Sequence, residues 1–224
     1  MSIKKQYESV KRRISQSVMK AESAGTVDLL AVSKKQPIEK INSLYQQGHR
    51  MFGESYVQEA IAKIEQLAEL DIQWHFIGPI QSNKTRYLAR YFDWVQSVDS
   101  LKIITRLNHQ RTGQQPKLNV LLQLKVGGEQ SKKGMNSQEL LAICARYGDF
   151  ANITIRGLMS IPAPSQDYQV QKSQFQQCQE VFQQMSEIIP VDTLSMGMSA
   201  DLEAAIESGS TMVRIGTDIF GQRQ

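Results

Sequence analysis

Eight short apolar runs, each followed by a longer amphipathic stretch or by the chain end, constrain this sequence more than any other feature. The first, Asp28 to Ser33, is almost wholly apolar, as a strand buried on both faces should be. Further strand-like pieces fall at Arg50–Gly53, Gln73–Ile77, Trp94–Val98, Leu118–Val126, Thr154–Met159, Thr193–Met196 and Met212–Ile215. Helical spacing fills the intervals Ser55–Glu69, Asn83–Tyr91, Leu101–Gln110, Ser137–Tyr147, Tyr168–Ile188 and Asp201–Ser208. Pro37 suits the first turn of the helix after the first strand, and Gly48 its end. Strands that alternate with helices run parallel, and eight such units predict a closed TIM-type (β/α)8 barrel, with a doubly wound open sheet as the alternative. A further helix is expected over Ile3–Ser23, where Ile3, Tyr7, Val10, Ile14 and Val18 recur at three- and four-residue steps. No long linker interrupts the pattern. The expectation is one domain over residues 1–224, with 1–26 forming a helix packed on the barrel.

The remaining bulk features exclude several function classes. The 224 residues can bury a large core without staples, and a net charge of +4 leans only weakly towards anionic partners. The dense basic run of Lys4, Lys5, Lys11, Arg12, Arg13 and Lys20 reads as a solvated helix face and matches no nucleic-acid module. No secretory or membrane-length apolar run is found, and Cys144 and Cys178 lack CxxC spacing, so a reducing cytoplasm and free thiols are expected. His49, His75 and His109 are scattered, which argues against a metal site.

In a barrel the chemistry gathers where strands end at their C-termini. The polar residues expected on that rim are Ser33, Lys34 and Lys35, Glu54 and Ser55, His75, Asp99, Lys125, Ser160, Ser195 with Ser199, and Arg214 with Gly216 and Thr217. Lys34 directly follows an apolar strand, where partial desolvation would favour a neutral amine able to form a Schiff base; an ordinary rim lysine is the competing reading. Leu194 to Asp201 and Arg214 to Gly221 are glycine-bearing turns after the last two strands, the place where barrels often bind phosphate. Ser199 also reads as a plain helix N-cap. Arg214 could pair with a carboxylate as scaffold, or donate to a ligand's ring nitrogen and keep it unprotonated. His75 sits among large apolar residues and suits a core role, and Met159 could be core or border a flat ligand.

Several strings together carry a specific resemblance: Leu30 to Lys34, Phe52 to Glu54 with Tyr56 to Glu59, Trp74 to Gly78 with Gln81 to Lys84, Gly157 to Met159, Ile161 with Pro162, Leu194 to Ser199, and Val213 to Thr217. They resemble the pyridoxal phosphate homeostasis proteins, similar in fold to the N-terminal barrel of alanine racemase, over about Leu29 to Gly221. The resemblance implies pyridoxal 5′-phosphate (PLP) held as an internal aldimine on Lys34, a phosphate cup at Ser195, Ser199, Gly216 and Thr217, and Arg214 facing the pyridine nitrogen. It implies that His75 and Met159 line the cofactor. Ser55, Lys35 with Gln36, and Ala200 depart from the family pattern, and the Ser55 departure puts a cofactor-side hydrogen bond in doubt.

The function so implied is a PLP carrier without turnover, monomeric, that buffers PLP or delivers it to PLP-dependent apoenzymes. A PLP-dependent amino-acid racemase is the alternative. Racemisation needs a proton-transfer group on each face of the cofactor, and no tyrosine here is marked as the second base. A class I aldolase-like barrel is a third reading; such barrels need an acid or base beside a lysine deep in the barrel, whereas Lys34 sits at the first strand's end beside a phosphate cup suited to PLP. Lys35, Lys132 and Lys133 could guide a second PLP inward or simply be solvated.

Overall fold

The structure, a computed structural model, describes residues 2–21, 25–126 and 134–222. Its strands are β1 (Asp28–Val32), β2 (Met51–Glu54), β3 (Gln73–Phe76), β4 (Trp94–Val98), β5 (Leu118–Leu124), β6 (Ile153–Ser160), β7 (Thr193–Ser195) and β8 (Met212–Ile215). They pair in parallel in chain order, and β8 closes on β1 with Leu30 opposite Arg214, so the expected barrel is correct and the open sheet is not. Around it lie α2 (Ile38–Tyr45), α3 (Val57–Gln66), α4 (Thr85–Tyr91), α5 (Leu101–Gln110), α6 (Ser137–Cys144), α7 (Tyr168–Ser186), α8 (Leu202–Glu207) and the unforeseen α9 (Thr217–Phe220).

Most buried apolar side chains among the described residues fall into two separate bodies. The larger fills the layer between strands and helices, with Phe52, Phe76, Leu88, Ile104 and Phe175 wholly buried. The smaller, Trp94, Leu121 and Met159, lies in the lumen. Gln96 places it there: this β4 residue bonds Ser195 of β7 and Met212 of β8, strands that are not its neighbours, so the bonds cross the barrel interior. Trp94, two residues away on β4, shares its face.

A bulge makes that lumen possible. Val120 opposes Ile155 but Leu121 opposes Gly157, leaving Arg156 as the extra residue on β6. Ile153 and Ile155 face the outer layer; after the extra residue Leu158 does so, and Met159 turns inward. Gly157 is required here. Its φ is +145°, and a Cβ would sit 2.0 Å from the Thr193 carbonyl oxygen.

Helix α1 (Ile3–Lys20) starts at the N-cap Ser2 and buries Tyr7, Val10 and Ile14. It ends at Lys20, earlier than the apolar spacing suggested, and Glu22 and Ser23 lie outside the described residues. Pro37 stands at the N-cap of α2, not in its first turn, and Gly48 lies three residues beyond its end in a left-handed conformation. The extended Ser55–Glu69 and Asn83–Tyr91 stretches shorten because their first residues belong to strand-to-helix loops.

His49 fastens α1 to the barrel base. Its Nε2 lies 2.8 Å from the Met51 carbonyl, which only accepts, so the proton sits on Nε2 and Nδ1 accepts from the Tyr7 hydroxyl at 3.3 Å. Burial pulls its pKa down to about 4 from 6.5. The folded imidazole therefore stays neutral while the unfolded one takes a proton, so stability falls as pH drops from about 6.5 to about 4. His49→Gln is expected to remove this slope, lowering the acid sensitivity of unfolding free energy by roughly 3 kcal/mol across that window. Urea unfolding of both proteins at several pH values reads the difference; parallel curves would contradict the neutral imidazole.

Candidate functional site

The C-terminal end of the barrel opens into a cavity of about 260 Å³. Its walls include Val32, Lys34, Ile77, Ile161, Met198, Ser199, Ala200, Arg214, Gly216 and Thr217. Five of the residues expected from the sequence (Lys34, Ser199, Arg214, Gly216 and Thr217) thus meet here. Ser195, His75 and Met159 lie beneath, wholly buried in the lumen. Ser55 is buried without lining the cavity, and its hydroxyl has no hydrogen-bond partner. A larger cavity of about 400 Å³ lies at the opposite end, around Tyr7 and His49, away from every strand C-terminus.

Lys34 is carried on a turn held from below. Ser33 N donates to the Gly53 carbonyl, Gln36 N donates to the Ser33 carbonyl, and Lys35 adopts a left-handed φ of 56°. The buried Lys63 ammonium donates to the Ser33 carbonyl at 2.8 Å, to Glu54 Oε1 at 2.8 Å and to Glu59 Oε1 at 2.6 Å. Ser33 Oγ also donates to Glu54, and Lys35 N to Glu59. Burial raises the Glu54 pKa against the opposing pull of Lys63 and Ser33. Such a pair costs desolvation but leaves the turn little freedom. The Lys35 ammonium rests over the Tyr56 ring at 5.6 Å, whereas Lys132 and Lys133 lie outside the described residues.

Arg214 is 4% exposed, and among the described residues no carboxylate lies within ion-pair distance, Asp201 acting on it from farther off. Its Nη1 donates to Ser195 O at 2.7 Å and Ser195 Oγ at 2.8 Å, and its Nη2 to Ser160 O at 2.8 Å. The scaffold ion pair that the sequence left open is therefore not made. Burial lowers the guanidinium pKa to about 10, so it remains a cation at neutral pH.

The turn after β7 differs from the expected one. Helix α8 begins at Leu202 with Asp201 at the cap position, so Ser199 is not the N-cap. Gly197, at φ +95°, packs where a Cβ would come within 2.5 Å of Ala205 Cβ, and Asp201 Oδ1 closes the turn by accepting from Met198 N at 2.6 Å. A carboxylate thus stands one residue after Ala200. Ser199 is left to face the cavity, with its carbonyl turned outward to Arg13.

Three contributors escaped the sequence reading. Arg13 of α1, which in the sequence reads as part of a solvated face, donates to Ser199 O at 3.0 Å, to Glu203 of α8 at 3.0 Å and to Asp218 of α9 at 2.7 Å. It ties together the two turns that flank the cavity. Lys63 interrupts the buried stripe Ala60, Lys63, Leu67, and Gln96 interrupts a strand buried on both faces; a polar residue in each apolar position was the available signal.

Comparison with known proteins agrees with this fold. The family model for the alanine racemase N-terminal domain matches residues 7–224. A pyridoxal phosphate homeostasis protein of Vibrio cholerae is 48% identical over 228 residues, covering 99% of this chain and 97% of that protein. The Escherichia coli K12 protein of the same name is 48% identical over 201 residues, covering 88% and 86%. PipY of Synechococcus elongatus PCC7942, solved with PLP bound, is 34% identical with a TM-score of 0.82, covering 93% of this chain and all of that one. Alanine racemase of Clostridium difficile 630 shares the fold alone: 14% identity, TM-score 0.69, with 94% of this chain matching 56% of that one.

Replacing Arg13 by Met should loosen both turns without disturbing the barrel. The expected cost is about 1–2 kcal/mol, reduced by added salt. Hydrogen exchange should quicken in 199–203 and 217–221 and stay unchanged in β4 to β6. Unchanged exchange in both turns would contradict the tethering role.

Proposed function

The chain belongs to the pyridoxal phosphate homeostasis proteins of the alanine racemase N-terminal domain family, and on that premise we propose that it holds PLP covalently on Lys34 for PLP homeostasis. One observation carries the reading. Among its described lining residues, the rim cavity offers two cationic side chains, Lys34 and Arg214, and two hydroxyls, Ser199 and Thr217, with no carboxylate.

PLP supplies an aldehyde that condenses with a lysine amine, a ring nitrogen that accepts a hydrogen bond, and an anionic phosphate. The residues present fit that group. Lys34 stands on a turn braced by Lys63, close enough to the lumen to share a cavity with Arg214. Ser199, Gly216 and Thr217 form the anion side, where a Cβ on Gly216 would press to 3.3 Å from the Val32 carbonyl. Ser195 already accepts from Arg214 and donates to Gln96, so it serves chiefly to hold the guanidinium. His75 and Met159 form the floor, and the unpartnered Ser55 hydroxyl has a donor to spare.

The lining favours a carrier role. The cavity presents Lys34 as a proton-transfer group, and its described walls hold no His, Tyr, Asp or Glu to serve a second face. The relatives' names favour homeostasis over racemisation. The described elements all pack around one barrel, which supports a single domain with α1 as its outer helix. No described helix is long and apolar enough to cross a membrane, and we read the protein as cytoplasmic and monomeric, with PLP-dependent apoenzymes as recipients and no nucleic-acid partner.

Titration with PLP is expected to produce one equivalent of a new absorbance band per chain, absent in Lys34→Ala. Incubation of the loaded protein with L-alanine should yield no D-alanine above the level of free PLP on chiral chromatography. Failure of the wild type to load would refute PLP binding; sustained racemisation would refute the carrier role.

A further inference from the structure

The lumen beneath the cavity is crossed by a chain of polar side chains that binding of a ligand at the rim does not require. Arg214 Nη1 reaches Ser195 Oγ at 2.8 Å, Ser195 Oγ reaches Gln96 Oε1 at 2.8 Å, Gln96 Nε2 reaches His75 Nδ1 at 2.9 Å, and His75 Nε2 reaches Gln73 Oε1 at 3.0 Å. The chain runs from β8 through β7, β4 and β3, and ends at the first residue of β3.

Its proton order follows from one end. A guanidinium only donates, so Ser195 Oγ must accept from Arg214 and use its own hydrogen towards Gln96. The Gln96 carbonyl takes that hydrogen, which turns its amide nitrogen towards His75 and Met212 Sδ, the latter at 3.2 Å. His75 Nδ1 must then accept, and the imidazole proton lies on Nε2, aimed at Gln73. His75 suits this as a neutral ring: it is wholly buried, stacks on Trp94 at 5.1 Å with 9° between planes, and burial lowers its pKa to about 3.

We propose that Gln96 is a positioning residue that, with His75 and Gln73, fixes the direction in which Arg214 presents its guanidinium to the PLP ring nitrogen. The proposal rests on the reading of the rim cavity as a PLP site. Arg214 donates to the carbonyls of Ser195 and Ser160 and to the Ser195 hydroxyl, and of these three acceptors the hydroxyl is the one that can rotate and so alter the guanidinium's tilt. The Ser195 hydroxyl settles that tilt only if its own hydrogen is directed away, and Gln96 is the acceptor that directs it. Gln73, at the other end and partly exposed, keeps the imidazole in the tautomer that accepts from Gln96.

The test uses full-length protein loaded with PLP labelled with ¹⁵N in the ring. In Gln96→Leu the ring-nitrogen resonance should move from its wild-type position towards that of a pyridine without the guanidinium donor, and PLP release into a trapping apoenzyme should become about tenfold faster, as for one buried hydrogen bond lost. Gln73→Leu, at the far end, should shift both readouts the same way by a smaller factor, about threefold in release. It remains informative if Gln96→Leu does not fold. A lower melting temperature with unchanged resonance and release in the variants that fold would make the chain merely structural and overturn the proposal. A wild-type protein that takes up no PLP would instead remove the reading on which it rests.

Discussion

A positive charge sealed inside a barrel, with no carboxylate in ion-pair contact among the described residues and only Asp201 acting on it from farther off, is the constraint around which the rest of this molecule is arranged. Arg214 cannot shed its proton at neutral pH, and its hydrogen bonds go to Ser195 and Ser160 oxygens that carry no charge. Desolvating a cation is expensive unless compensated. The barrel lowers that expense with strand carbonyls and a hydroxyl, and leaves the cation beside a cavity whose other described walls carry a second cationic residue, Lys34. A site of this composition attracts an electron-rich, anionic ligand and has no described lining carboxylate to compete for its donors.

Holding two cationic residues at one mouth requires bracing from several directions. The Lys63–Glu54 pair braces the Lys34 turn from α3, Arg13 braces the two turns after β7 and β8 from α1, and the Gln96 chain braces Arg214 from within. The β6 bulge at Gly157 belongs to the same scheme, because it brings Met159 into the lumen to pack with Trp94 and Leu121 under the polar layer. Each brace comes from an element remote in sequence from the residue it holds. Fold and site are therefore coupled: a slip of one residue in β6 would change what lies beneath Arg214.

This coupling explains what the sequence could reveal. Strand positions were legible because parallel barrel strands are apolar on both faces, and Lys34, Ser199, Arg214, Gly216 and Thr217 were legible because they lie at or just beyond the C-terminal ends of such strands and carry the family strings. Helix ends were less so, since apolar spacing continues into loops; Ser55 and Asn83 precede helices they were expected to begin. Ser199 lies too early to cap, because α8 begins at Leu202 with Asp201 at its N-cap position, and the Asp201 side chain turns back to Met198 N instead of capping the helix. Gln96 and Ser195 lie 99 positions apart, and Arg13 and Asp218 lie 205 apart. Periodicity carries no information about contacts of that range, so only the oddity of a polar residue in an apolar stripe marked Lys63 and Gln96.

The central claim is that Lys34, braced at the barrel mouth, is the residue that takes PLP. Peptide mapping of the PLP-loaded protein after borohydride reduction tests it most directly, because reduction fixes the cofactor's mass on whichever lysine held it. The expected result is one label per chain, on the peptide containing Lys34, in stoichiometric yield. A label spread over Lys35 and other surface lysines, or concentrated on Lys63, would contradict the assignment of the site.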